Sequence, residues 1–286
     1  MADFYNKTMG YVRSDIHSAQ PIPPLSWRGQ TRKANFIVTT FVLILLIYSA
    51  AAPVASAAEP EAQYAYNSGL VALATGETQQ LSYNYGSYAE ASAAAQVISN
   101  TYVDCRYRYP EYFSDGFKIH FEVDIDNAGT STLLVIPERS EESKNRQTEA
   151  YVSVNWFLSE LYKNGKLSKD MSEFQRSKVI LDWVAARVSY DKCDKLSRTS
   201  WSAINRMKAN CNGYTALYNQ MLRADGIQCH GVLGYANGGS HLWSVVTLDG
   251  VECYTDATWY DSSNGTNYFA LTRSQMEADH AFAAGF

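Results

Sequence analysis

The 286-residue sequence has no concentration of charge of either sign. Charged residues make up 19% of the chain and the formal net charge is only −5. Proteins that bind nucleic acid usually present a basic patch or stripe. The sequence therefore argues against a nucleic-acid partner. It also contains no internal repeat, so a repeat architecture is excluded.

Recognisable metal motifs are absent as well. The sequence has no CxxC pair, no cluster of histidine and cysteine at zinc spacing, and no DxDxDG-type loop that would bind calcium. We therefore predict no metal ion and no other cofactor.

One long apolar run stands apart from this ordinary globular composition. "FIVTTFVLILLIYSAAA", residues 36–52, follows Arg28, Arg32 and Lys33 and precedes small residues ending at Ala57. This order is typical of a secretory signal peptide cleaved after Ala57, although a retained membrane anchor is the alternative. Both interpretations place the rest of the chain outside the cytoplasm, either secreted or held at the membrane through this segment alone.

The exported part would contain an odd number of cysteines, five in all. At least one is then a free thiol or a link to a partner chain. Cys105, Cys193, Cys229 and Cys253 could form disulfides after export, in any of three pairings. A bridge between Cys229 and Cys253 is not expected, because strands two apart lie about 9–10 Å from each other.

The patterns along the chain divide it into four segments. These are a signal peptide or N-terminal membrane anchor (1–57), a linker (58–87), an N-terminal helix and hairpin extension (88–170), and a catalytic core (171–286).

Several elements are predicted within the last two segments. Residues 88–103 are Ala-rich and favour a helix, and the alternation in 117–136 predicts a hairpin. Another helix should end at Gly165, and the next should begin after Ser172 as its N-cap. The core should then contain a helix over 211–224 and three short strands.

Cys211 would occupy the first turn of that helix, with Asn210 as its N-cap. A helix N-terminus carries partial positive charge and free N–H groups, which stabilise a thiolate and can hold an oxyanion. The alternative is that Cys211 is a small buried hydrophobic residue.

The last two predicted strands form a hairpin around Asp249-Gly250, a strong turn signal. With a two-residue turn, His241 lies opposite Thr258 and Trp243 lies opposite Asp256. His241 and Asp256 are then diagonal neighbours on one face, within side-chain reach. A carboxylate beside an imidazole orients the ring and stabilises its charged form.

Three motifs in this region resemble the transglutaminase-like superfamily, whose members have a papain-like fold. They are "CNGY" at 211–214, "HLW" at 241–243 and "DATW" at 256–259. "VILDWVAARVSYD", residues 179–191, is similar to the helix that precedes the cysteine in that family. The resemblance covers about residues 175–260, and it is specific for the fold and for the site more than for the substrate.

The resemblance implies an α+β core in which a helix with the nucleophile at its N-terminus packs on an antiparallel sheet. It implies a catalytic triad of Cys211, His241 and Asp256 that forms a thioester with its substrate. For an exported enzyme we expect a protein or peptide substrate, with cell-wall peptide as one candidate. Water as acceptor would give a protease or amidase, and an amine would give a transglutaminase. Two alternatives stay open: an inactive module that binds peptide or wall polymer, and an exported structural protein whose cysteines pair.

Overall fold

The structure, a computed structural model, describes residues 81–127, 129–263, 265 and 267–286. The apolar run 36–52 lies outside these residues. Among the helices that the structure does describe, none combines the length and hydrophobicity needed to span a bilayer. The choice between a cleaved signal and an anchor therefore stays a prediction.

The described chain begins with a three-stranded antiparallel sheet and two helices. The strands are β1 (Leu81–Tyr85), β2 (Lys118–Ile125) and β3 (Ser131–Glu138), in the order β1-β3-β2. Helices α1 (Tyr88–Arg108) and α2 (Pro110–Phe113) connect β1 to β2. The predicted hairpin is confirmed, and so is the predicted helix, which runs five residues further than expected. We call residues 81–138 the N-terminal unit.

The end of the predicted linker differs from the expectation. Residues 81–85 are the strand β1, which pairs along its whole length with β3 from Leu81–Val135 to Tyr85–Ser131. Richness in Ala, Gly, Ser, Gln and Tyr suggested a linker, but the free edge of the hairpin provides a partner for this backbone. The remainder of the predicted linker, residues 58–80, lies outside the described residues.

Two longer helices follow, α3 (Glu141–Lys163) and α4 (Glu173–Ala185). Gly165 closes α3 with a φ of 66°, a conformation that glycine adopts without steric cost. Ser172 caps α4, and its side chain and that of Gln175 form a capping box. Both predicted helix boundaries are confirmed.

The C-terminal half contains one central helix and a four-stranded sheet. A 3₁₀ turn and a π turn lead into this region at Lys195–Arg198 and Ser202–Arg206. Its other elements are β4 (Ser189–Tyr190), β5 (Lys208–Ala209), α5 (Cys211–Ala224), β6 (Cys229–Ala236), β7 (Gly239–Leu248), β8 (Val251–Thr255), α6 (Ala257–Ser262), α7 (Arg273–Met276) and β9 (His280–Phe282).

The sheet has the order β8-β7-β6-β9, with antiparallel neighbours throughout. Helix α5 packs on one face of it, where Ser244 donates a hydrogen bond to Asn219 over 2.7 Å. On α5, Tyr214, Leu217 and Tyr218 have no solvent exposure. Each such side chain contributes about 1.5–3 kcal/mol when buried, so α5 is firmly anchored. The predicted α+β core, with Cys211 at the N-terminus of a helix on an antiparallel sheet, is confirmed.

The extension and the core share their hydrophobic interior. Ala150, Val154 and Leu158 on α3 belong to the same buried cluster as α5. The N-terminal unit also touches the sheet directly, because a Cβ on Gly231 of β6 would lie only 2.0 Å from the carbonyl oxygen of Tyr107 on α1. Helix α3 of the predicted extension and helix α5 of the predicted catalytic core thus contribute to one buried cluster.

Candidate active site

Cys211 is the first residue of α5 and is partly exposed. The Asn210 side chain accepts hydrogen bonds from the backbone N–H groups of Asn212 (3.1 Å) and Gly213 (3.4 Å). Its carbonyl accepts from the N–H of Tyr214 over 2.9 Å. The predicted N-cap is thus confirmed. The N–H of Cys211 is the donor of the first turn that Asn210 does not engage.

The turn before α5 fits tightly against the helix. Asn210 donates its backbone N–H to the carbonyl of Ser197 over 2.8 Å. A Cβ on Gly213 would lie 2.3 Å from that same carbonyl oxygen and 2.9 Å from the Cβ of Ala209. A glycine two residues after Cys211 is therefore a packing requirement.

His241 lies on β7 and Asp256 directly follows β8, and their side chains are in contact. His241 Nε2 is 2.7 Å from Asp256 Oδ2, and both residues are buried. The Asp249-Gly250 turn has two residues, with φ values of 51° and 82°. The structure therefore brings the two predicted side chains together.

The expected strand pairing is wrong at its far end. The β7–β8 ladder stops at Ser244 and Thr255, so His241 does not face Thr258 and Trp243 does not face Asp256. Asp256 leaves the strand to cap α6, with Oδ1 accepting from the N–H groups of Thr258 (2.9 Å) and Trp259 (3.2 Å). The capping hydrogen bonds take the place of further strand pairing, and they leave Asp256 Oδ2 available to contact His241.

Electrostatics favours a charged His241. Burial lowers its pKa, but hydrogen bonds with Asp256 and Cys211 and the charges of both override that effect and raise the pKa to about 10. Burial likewise raises the pKa of Asp256, yet hydrogen bonds from His241 and His280 outweigh it and hold this pKa below its usual value. The arrangement can hold a thiolate beside an imidazolium.

A second histidine, His280, lies in the site and was not predicted. Its Nε2 is 3.2 Å from Asp256 Oδ2, and its Nδ1 is 2.6 Å from Asp279 Oδ1. No local sequence signal marks this residue, because β9 reaches the site only by pairing with β6. Imidazole and carboxylate groups also bind metals, and ligand atoms of His241, Asp256 and His280 lie within 4.8 Å of one another. The Nε2 atoms of His241 and His280 both face Asp256 Oδ2, and the absence of a metal stays a prediction.

Aromatic rings surround the imidazoles. The Trp259 ring centroid is 5.6 Å from that of His241 and 4.5 Å from that of His280. Trp243 is fully buried and packs at 6.1 Å from His241. Tyr190 is half exposed, and its pKa is raised by its partial burial and by the nearby charges of Cys211 and Asp256. Trp243 and Trp259 thus form an aromatic wall beside the two imidazoles.

The other cysteines lie apart from this arrangement. Cys193, Cys229 and Cys253 carry free thiols, and Cys193 is exposed. Cys229 and Cys253 flank Val246 on either side in the sheet, two strands apart, which agrees with the expectation that they do not bridge. Burial raises the pKa of Cys229 to about 12 and that of Cys253 to about 11. Neither is suited to be a nucleophile.

Comparison with known proteins agrees with this architecture. Residues 162–262 match the family model of the transglutaminase-like superfamily. The chain is 29% identical over 125 residues to kyphoscoliosis peptidase of Mus musculus, covering 38% of this chain and 19% of that protein. It is 27% identical over 110 residues to the Homo sapiens protein of the same name, covering 32% and 17%. The match thus spans about a fifth of the length of these relatives.

Among solved structures, the crystal structure of a TGase is similar with a TM-score of 0.35 and 14% identity. The overlay covers 73% of this chain and 56% of that chain.

Proposed function

We propose that the protein, whose residues 162–262 match the family model of the transglutaminase-like superfamily, is a thiol enzyme that transfers or hydrolyses acyl groups of protein or peptide amides. The observation that carries this proposal is the imidazole–carboxylate contact beside the cysteine at the start of α5. His241 contacts Asp256 at 2.7 Å, and the Cys211 thiol lies close enough to the His241 ring to raise its pKa. Nucleophile, base and orienting group are then present in the order that covalent amide chemistry requires.

In the first step, the Cys211 thiolate attacks the amide carbonyl carbon and an S–C bond forms. The N–H of Cys211 at the start of α5 is placed to donate to the oxyanion. The His241 imidazolium gives its proton to the departing nitrogen as the C–N bond breaks, leaving a thioester and a neutral imidazole. Asp256 holds the ring in position throughout.

In the second step, His241 takes a proton from the acceptor as it attacks the thioester. Water releases a carboxylic acid, and an amine releases a new amide. The S–C bond breaks in both cases, and the proton on His241 restores the ion pair with the thiolate. The described residues favour neither acceptor, so the proposal covers both reactions.

The site of action belongs to the same proposal. The apolar run 36–52 and its basic flank support export, and the substrates would then be exported proteins or cell-envelope peptides. Mass spectrometry of the mature N-terminus tests this part. A chain beginning at residue 58 indicates cleavage, an intact run in the membrane fraction indicates an anchor, and a full-length cytoplasmic chain contradicts export.

The reaction is tested with the full chain, a peptide library and a labelled primary amine. We expect amine incorporation or peptide cleavage by the wild type, reduced about a thousandfold or more in Cys211→Ala. Cys193→Ser is the matched control, since Cys193 is exposed and lies outside the contact network. Activity that survives Cys211→Ala contradicts the proposal. Absence of any reaction, with Cys211 alkylated no faster than Cys193, would favour the inactive binding module.

A further inference from the structure

We propose that His280 is a positioning residue of the active site, which holds the Asp256 carboxylate in the orientation that His241 requires. This inference rests on the proposed function, because positioning matters only if Cys211 and His241 react. The C-terminal strand β9 would then be part of the catalytic machinery, although it lies outside the family match at 162–262.

The hydrogen bonds of His280 define its orientation. Its side chain has no solvent exposure, and its two ring nitrogens face two different carboxylates, Asp256 at 3.2 Å and Asp279 at 2.6 Å. Each ring nitrogen thus lies within hydrogen-bond distance of a carboxylate oxygen. His280 therefore links the partly exposed Asp279 to the fully buried Asp256.

Both oxygens of the Asp256 carboxylate have hydrogen-bond partners. Its Oδ1 accepts from the N-terminal N–H groups of α6, and its Oδ2 faces both His241 and His280. Without His280, Oδ2 would keep a single partner, His241. The second imidazole therefore fixes the rotation of the carboxylate and stabilises its charge in a buried position.

A glycine on β6 leaves room for the strand that carries His280. A Cβ on Gly234 of β6 would lie 2.2 Å from the carbonyl oxygen of Ala281 and 2.4 Å from the Trp243 ring. Glycine at this position lets β9 and the indole approach β6 closely. His280 pairs with Ala236 in that ladder, and its ring lies 4.5 Å from that of Trp259.

The effect of His280 on pH dependence follows from these contacts. Losing its hydrogen bond lets Asp256 take up a proton at a higher pH, because that bond helps to keep the pKa of this carboxyl low. A protonated Asp256 no longer stabilises the His241 imidazolium or the thiolate beside it. The titratable groups that face this cluster in the described chain are Cys211, His241, Asp279, Tyr190 and Tyr268.

The test measures alkylation of Cys211 by iodoacetamide between pH 4.5 and 9, in the full chain with Cys193→Ser as background. We expect His280→Leu to move the acidic limb of the rate profile towards neutral pH by about one unit. His280→Gln, whose amide nitrogen can donate to Asp256, should recover part of that shift. His120→Gln is the matched control, since His120 is exposed on β2 and pairs with Glu138 away from the site.

An unchanged profile in His280→Leu overturns the inference, as does an equal shift in His280→Leu and His280→Gln. A wild type whose Cys211 reacts like an ordinary thiol overturns the proposed function instead, so the two failures are distinct. If His280→Leu does not fold, as judged by circular dichroism, Asp279→Ala replaces it. That variant removes the acceptor of His280 Nδ1 from a partly exposed position, and a smaller shift in the same direction is expected.

Discussion

At the scale of single residues, the charge on His241 connects catalysis to stability. Its pKa is raised to about 10 in the folded protein, against about 6.5 for an unperturbed histidine. The folded state therefore binds this proton more tightly than the unfolded state. The resulting stabilisation is complete below pH 6.5 and is lost as the pH rises through the folded value.

We predict that this loss is visible in unfolding experiments. Between pH 6 and pH 10, the wild type should lose about 2–4 kcal/mol of unfolding free energy relative to His241→Gln. Urea unfolding of both proteins at the two pH values measures the difference, and the titration of groups that do not interact with His241 cancels. A constant difference between the two proteins across this range would contradict a protonated, ion-paired His241.

How far these residues could be predicted depends on where their partners lie in the chain. The motif around Cys211 and the hairpin joining His241 to Asp256 are local, so the sequence predicts both the helix start at Cys211 and the contact between His241 and Asp256. Their catalytic roles stay a prediction. His280 contacts Asp256 only because β9 pairs with β6, about 45 residues earlier in the chain. That pairing leaves no periodic or turn signal near residue 280.

At the scale of elements, the N-terminus of α5 is fixed by contact with the turn before it. The backbone carbonyl of Ser197 accepts from the N–H of Asn210, and Gly213 passes directly over the same oxygen. The start of the helix, and with it the position of the Cys211 sulfur, is thus set by backbone packing.

We predict that Gly213→Ala displaces this helix end. Its Cβ would overlap the Ser197 carbonyl at 2.3 Å, and backbone cannot move away as a flexible side chain can. The expected cost is about 1–3 kcal/mol of unfolding free energy, with slower alkylation of Cys211. Gly239→Ala is the matched control, because nothing lies within 4 Å of its added Cβ. Equal behaviour of the two variants would contradict the packing argument.

The elements themselves were largely predictable, and their ends were less so. The Asp249-Gly250 turn set the register of β7 and β8 correctly, because two residues with positive φ match the strand twist. The strand β8 ended earlier than expected, because the Asp256 side chain caps α6. Asp256 could either continue the strand or cap the helix, and tertiary contacts decide between the two conformations.

At the scale of the whole molecule, the N-terminal unit is joined to the core by a buried ion pair. Glu111 on α2 and Arg223 near the end of α5 approach to 2.7 Å, and the Glu111 side chain has no solvent exposure. Burial raises the pKa of Glu111 despite the opposing charge of Arg223. The Arg223 guanidinium also lies 4.8 Å over the Tyr109 ring. No sequence pattern predicted this contact, which joins residues 112 positions apart.

We predict that breaking this pair on one side is costly. In Glu111→Leu, the buried Arg223 loses its counter-charge, and the expected loss is about 3–5 kcal/mol of unfolding free energy. The double variant Glu111→Leu with Arg223→Met should recover most of it, because apolar side chains of similar volume need no partner. Urea unfolding of the full chain measures both. If Glu111→Leu alone unfolds like the wild type, the N-terminal unit is not held by this contact and the packing of Gly231 against Tyr107 must suffice.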